Sequence, residues 1–185
     1  MGKPNDVTLA DLRQLHPAGA VGLVRRSRDG VVEDVAAFAY REPARWRVRH
    51  LSGQEIVVRG EQWWTRGSGD VGGWSHGITD PGTEVHHNGY LQAMLFPARL
   101  PAISDAASVV TSREALANGD RRLVIAYRDP VEGTMSADVS PDGHLVRLEG
   151  EEDGVVVLEL RVDSWEPPRE DLFDPDVEWE SPVDG

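Results

Sequence analysis

Along most of this 185-residue chain apolar residues recur at every second position, the period of a strand with one covered face. Strands are predicted over Ala18–Ser27, Val31–Tyr40, Trp46–Leu51, Glu55–Val58 and Gln62–Arg66. The reversals between them, "RDG", "REPAR", "LSGQ" and "RGEQ", carry the Gly, Pro, Asp or Ser that tight turns need. The second half repeats the pattern. Leu123, Ile125 and Tyr127 share a face of Arg122–Arg128, and Met135, Ala137 and Val139 share one of Thr134–Val139. Asp142-Gly143 marks a hairpin, and Val156, Leu158, Leu160 and Val162 alternate with Val157, Glu159, Arg161 and Asp163. One apolar and one wet face describe an antiparallel sheet covered on a single side.

Helical periodicity is confined to short pieces. Thr8–Leu15 is predicted as a helix with Thr8 as N-cap and Pro17 beyond its end. Gly67–Gly89, rich in Gly, His and Asp, reads as a long loop. It leads to an apolar stripe of Tyr90, Leu91, Met94, Leu95 and Phe96 on a helix that Pro97 ends. "SREALAN", Ser112–Asn118, reads as a further helical turn or two before the Asn-Gly stop. The sum is a mainly β (α+β) fold of about nine to eleven antiparallel strands. Twist curls a sheet of that size, and the helices at 8–15 and 90–96 would lie over its apolar face as a lid.

The length suits one domain over 1–185, with a core at about 18–175 and an acidic C-terminal tail at about 176–185. An apolar share of 39% with 28% charged residues predicts a packed core rather than a disordered chain. The absence of cysteine excludes disulfides, thiolate nucleophiles and Cys-based zinc sites. The N-terminus holds no apolar run of signal-peptide length, and no segment is long enough to span a bilayer as a helix, so a cytoplasmic protein without a transmembrane segment is expected.

A formal net charge of -13 argues against a nucleic-acid partner, since phosphate contacts need a basic surface. The charge is uneven. Residues 1–60 hold ten Lys and Arg against seven Asp and Glu, whereas residues 149–185 hold two Arg against fourteen acids. The acidic end is read as a solvated surface and tail, with a docking segment for a basic protein partner as the alternative.

Candidate chemistry is sparse. No Gly-x-Ser-x-Gly elbow occurs, and "RGSGDVGGW" lacks the strand-to-helix setting of a phosphate-cradling loop. No local pattern sets two carboxylates across a cleft for glycoside chemistry. Among the histidines only His86 and His87, with His76 nearby, cluster, and that spacing does not set three ligands around an open position. No enzyme activity, metal or cofactor is expected. The tryptophans carry more information. "RWRVRHLSGQEIVVRGEQWWTR" holds three of the six, and a Trp suits a core edge or a cavity mouth equally well. Arg45, Arg47 and Arg49 alternate with Trp46 and Val48, which predicts a basic face toward water and an aromatic face inward. Adjacent Trp63 and Trp64 must point to opposite faces, so only one joins Trp46.

"AFAYREPARWRVRH", "GQEIVVRGEQWWTR", "NGYLQAMLFPARL" and the closing "MSADVSPDGHLVRLEGEEDGVVVLELRVDSWEPPREDLFDP" together resemble the LolA-like superfamily over roughly residues 18–175. That superfamily comprises lipoprotein carriers, mycobacterial lipid-binding lipoproteins and RseB-type sensor domains of bacteria. The resemblance implies a curved antiparallel half-barrel of about eleven strands with a helical lid, and a non-enzymatic protein taking a hydrophobic or amphipathic, acyl-bearing ligand. The alternative it implies is a regulatory or protein-interaction domain on the same scaffold with no small ligand. The cavity walls expected on this basis are Trp46, Val48, Trp63 or Trp64, Leu123, Ile125, Met135, Leu158 and Leu160, with Tyr90, Met94 and Leu95 of the lid. The chain departs from such relatives in showing neither leader nor lipobox cysteine.

Overall fold

The computed structural model describes residues 7–67, 73–78, 89–128, 132–151 and 154–180. Among them run eleven strands: β1 (Gly19–Arg28), β2 (Val31–Arg41), β3 (Arg45–His50), β4 (Glu55–Arg59), β5 (Gln62–Arg66), β6 (Ser75–Ile78), β7 (Val109–Ala115), β8 (Arg121–Tyr127), β9 (Gly133–Val139), β10 (Leu145–Glu151) and β11 (Val155–Ser164). Three short helices join them: α1 (Leu9–Arg13), α2 (Gly89–Leu95) and α3 (Pro101–Ser104). The strands form one open sheet in the order β6-β5-β4-β3-β2-β1-β11-β10-β9-β8-β7, with β6 and β7 as its edges. Every neighbouring pair is consecutive in sequence except β1 and β11, so the sheet is two meanders joined through the first and last strands. The mainly β, antiparallel class read from the pattern is the observed one.

Chain contacts divide the molecule into two units. The first comprises Met1–His16, Arg26–Val31 and Tyr90–Leu160; the second comprises Pro17–Arg25, Val32–Gly89 and Arg161–Gly185. In the first, the Asp29-Gly30 turn has both residues at positive φ, 48° and 80°, as the two-residue turn between right-twisting strands requires. Asp29 is tied to the start of β11, donating its N–H to the Val155 carbonyl and accepting the Val155 N–H on Oδ1, each at 2.9 Å. Thr8 caps α1 as predicted: its hydroxyl oxygen accepts the Asp11 N–H, and the Asp11 carboxylate accepts the Thr8 N–H in return. Arg13 of α1 donates to the carbonyls of Ile103 at 2.6 Å and Asp105 at 2.8 Å, tying α1 to α3, which packs on β8.

Two assignments are corrected. Ser112–Asn118 is not helical; its first residues belong to β7, paired with β8 through Val110↔Ile125 and Arg113↔Leu123. The β-branched Val109, Val110 and Thr111 start a strand whose ladder outweighs the modest helix preference of "REALA". Within the predicted loop Gly67–Gly89, residues Ser75–Ile78 form β6, registered on β5 by Trp63↔Gly77. The Trp63 ring lies across Gly77, where no side chain competes for the space. His86 and His87 lie outside the described residues.

Candidate functional site

Register sorts the first unit's strands into two faces. Ile125 pairs with Met135, Leu123 with Ala137, Leu148 with both Ala137 and Leu158, and Gly150 with Met135 and Val156. Directly opposed residues share a face, so these side chains form one apolar surface. The other face is polar. Arg122 donates two bonds to the Asp138 carboxylate, at 2.7 and 2.8 Å, and Arg147 donates to Glu149 at 2.6 Å. The Asp138 hydrogen bond raises the Arg122 pKa above its ordinary value.

The apolar surface is covered unevenly. Leu123 and Ile125 are wholly buried, with Ala102 and Ile103 of α3 buried in the same unit. Across the sheet from them, on β9 and β11, Met135, Val156 and Leu158 are only half-buried. There the surface floors a cavity of about 1010 Å³, walled by Leu100, Ala107, Val109 and Tyr127. Two glycines shape it. Gly150, between Met135 and Val156, contributes no side chain to the floor. Gly133 lies under the Tyr127 ring, whose hydroxyl would stand 2.7 Å from any β-carbon there. Charged groups, Arg128, Glu132 and Glu151, are exposed lining residues. An apolar floor with charged groups at solvent suits a ligand that is apolar at one end and polar at the other.

The twelve residues proposed from sequence fall into separate places. Met135 and Leu158 line the cavity. Leu123, Ile125 and Leu160 are buried in β8 and β11, and Met94 and Leu95 are buried in α2, where Tyr90 is half-buried. Trp46, Val48 and Trp63 belong to the second unit. The chain of pairs Trp46↔Val58↔Trp63 sets Trp63 on the face of Trp46, where Trp46 packs against Tyr40 at 4.4 Å between ring centres. Trp64 takes the opposite face, stacking on His76 at 4.9 Å and packing against Ala37, Ala39, Val57, Phe173 and Trp179. Tyr127 and Val156 belong to the period-two pattern but not to the twelve, and Leu148 joins the floor through its register with Ala137 and Leu158. Leu100 and Ala107 carry no comparable signal.

That opposite face overturns the expectation of a basic surface in water. The Arg47 and Glu55 side chains are each 1% exposed and joined at 2.6 Å; Arg49 at 3.2 Å and Arg66 at 2.5 Å share the same carboxylate. The cause is the C-terminal segment. Arg47 Nη1 donates to the Leu172 carbonyl at 2.8 Å, Arg41 Nη1 to that of Pro168 at 2.7 Å, and Arg45 pairs with Glu170 at 2.8 Å. Phe173 is wholly buried and Trp179 is 6% exposed, so the segment from Phe173 to Trp179 is packed at both ends. Burial pushes the Arg47 pKa down, against the pull of Glu55. Burial would raise Glu55, but its arginine partners hold it below the ordinary carboxylate value.

Elsewhere in the second unit His50 Nδ1 meets the Asp34 carboxylate at 2.9 Å. Among the described residues no group of three or more His, Cys, Asp or Glu is arranged to hold a metal ion, and no helix is long and apolar enough to cross a membrane.

The fold is thus an open antiparallel sheet with short helices and an apolar hollow in its first unit. No family model matches the chain. No curated protein matches it either. Similar solved structures include MucB, at 17% identity and a TM-score of 0.48, over 94% of this chain and 62% of that one. Others are a DUF1329 family protein from Desulfovibrio piger (10% identity, TM-score 0.33, 90% of this chain and 92% of that one) and a LolA superfamily protein from Nitrosomonas europaea (13%, 0.31, 84% and 89%). The chain spans 62% of the length of MucB.

Proposed function

We propose that this protein is a non-enzymatic binding module that takes the apolar portion of an amphipathic, lipid-like ligand into the cavity of its first unit. The observation that carries the proposal is the half-buried apolar floor of Met135, Val156 and Leu158 beneath a hollow of about 1010 Å³. That volume lies at the upper end of the range of small-molecule pockets, roughly 300–1,000 Å³. Burial would drive binding, at about 0.8 kcal/mol for each methylene removed from water. Arg128, Glu132 and Glu151 leave a polar head group in solvent beside charge of either sign.

Native mass spectrometry of protein purified without detergent, before and after adding dansyl-undecanoic acid, tests the proposal. A one-to-one adduct with enhanced dansyl fluorescence is expected. A protein that takes up no probe, with no bound lipid to account for it, would refute the proposal. A second reading, a regulatory or protein-interaction scaffold without a small ligand, draws its support from the charged groove under Trp179 rather than from the cavity.

A further inference from the structure

The acidic C-terminal end, a candidate for docking a basic partner, meets basic residues of its own chain. Beyond the buried Phe173, residues Pro175–Glu180 and the side chains of Arg47, Arg49 and Arg66 together line a groove of about 490 Å³. Asp176, Glu178 and Glu180 are exposed, while Trp179 between the glutamates is buried. The guanidinium carbons of Arg47 and Arg49 each lie 5.6 Å from the centre of the Trp179 ring. That geometry is a cation–π clamp.

The way this segment is held differs from the way the preceding one is held. Residues up to Val177 are secured by backbone bonds, including Val177 N–H to the Asp174 carbonyl at 3.1 Å and the two Asp174 and Leu172 carbonyls bonded to Arg47. Among the described residues, Glu178–Glu180 form no hydrogen bond and no ion pair within 4.0 Å. One aromatic side chain anchors three residues. Charges of both signs meet there: Arg47, Arg49 and Arg66, which share the Glu55 carboxylate, line the groove together with Glu178 and Glu180 on either side of Trp179. Long-range attraction without direct pairing is the part of an electrostatic contact that salt screens and a competitor can replace.

We propose that the groove over Arg47, Arg49 and Arg66 is a recognition site for an acid–aromatic–acid peptide segment, occupied in cis by Glu178-Trp179-Glu180 acting as a displaceable latch. A partner presenting an aromatic residue between carboxylates would exchange for the chain's own end. The cavity of the first unit takes no part, so this proposal stands or falls independently of lipid binding.

The test is a fluorescence-anisotropy titration of the full chain with a labelled peptide of residues 174–180, DPDVEWE. In the native protein the cis segment competes, and weak binding is expected. In Trp179→Ala the peptide should bind at least tenfold more tightly. The gain should vanish on adding Arg49→Ala, with the control peptide DPDVEAE, or in 1 M NaCl. Equal peptide binding by native and Trp179→Ala protein, or a gain that survives Arg49→Ala or 1 M NaCl, overturns the proposal. Hydrogen exchange on the native chain covers the case in which Trp179→Ala does not fold. Amides of residues 178–180 should exchange faster than those of β3, and faster still in high salt at fixed pH and temperature. Protection equal to that of β3, or indifference to salt, would overturn it as well.

Discussion

The two units use the same grammar of alternating strands but differ in what covers their sheet faces. In the first unit the apolar face changes across its strands from wholly buried, at Leu123 and Ile125 on β8, to half-open above Met135 on β9 and Val156 and Leu158 on β11. In the second, the face bearing Arg47, Val57 and Trp64 is closed by the chain's own C-terminal segment, which inserts Phe173 and Trp179. The open face is apolar and the closed one contains a buried ion pair, the reverse of what hydrophobicity alone suggests. Coverage, not composition of the strand, decides which face stays open.

Changes at the closed face should be the most damaging to stability. Glu55→Ala strands the Arg47 guanidinium, which is 1% exposed, without its carboxylate. Breaking such a pair from one side costs about 3–5 kcal/mol, measurable as a lowered midpoint in urea. Phe173→Ala, which opens a hole beside Ala37, Ala39 and Val57, should cost about 3–4 kcal/mol by the same assay.

Acid should act in the same direction on two groups. The Glu55 pKa is depressed in the fold by its arginines, so the stability it supplies is full above the ordinary value of 4.5 and is lost as pH falls through the lower, folded value. The His144 pKa is depressed chiefly by burial, with Asp142 opposing, so the fold prefers neutral imidazole. Its contribution is full above 6.5 and declines as pH falls below that. Urea midpoints measured from pH 7.5 to 3 should fall in a shallow step and then a steeper one, and Glu55→Gln should remove most of the second.

At the open face the balance inverts. Leu158→Asp, at a half-buried floor position, should cut binding of an acyl probe at least tenfold while moving the urea midpoint far less than Phe173→Ala does. The smallest effect marks the other end of the ion-pair scale. Arg161 and Asp163 form an exposed pair, 66% and 44% accessible, and Arg161→Ala should change stability by less than about 0.5 kcal/mol.

The same contrast explains what could be read in advance. Strand alternation is local, and it located nine of the eleven strands' regions, the Asp142-Gly143 hairpin and the Thr8 cap, because turn chemistry and period two need no knowledge of neighbours. Which face of β3 is wet depends on residues some 125 positions away, and no pattern in "RWRVR" announces that Leu172 and Asp174 will accept from Arg47. The cavity was half legible for a related reason. Met135 and Leu158 follow from alternation, but Leu100 and Ala107 join them only through the folding of the segment before β7. The three tryptophans of the opening strands lie in the second unit, Trp46 against Tyr40, Trp63 across Gly77 and Trp64 over His76.

Two methionines make the central claim directly measurable. Met135 lines the cavity, whereas Met94, 1% exposed in α2, does not. In protein labelled with carbon-13 at the methionine methyls, titration with oleate should shift the Met135 signal saturably at one equivalent and leave that of Met94 nearly in place. An unmoved Met135 signal, or a shift at Met94 alone, would contradict the assignment of this cavity as the ligand site.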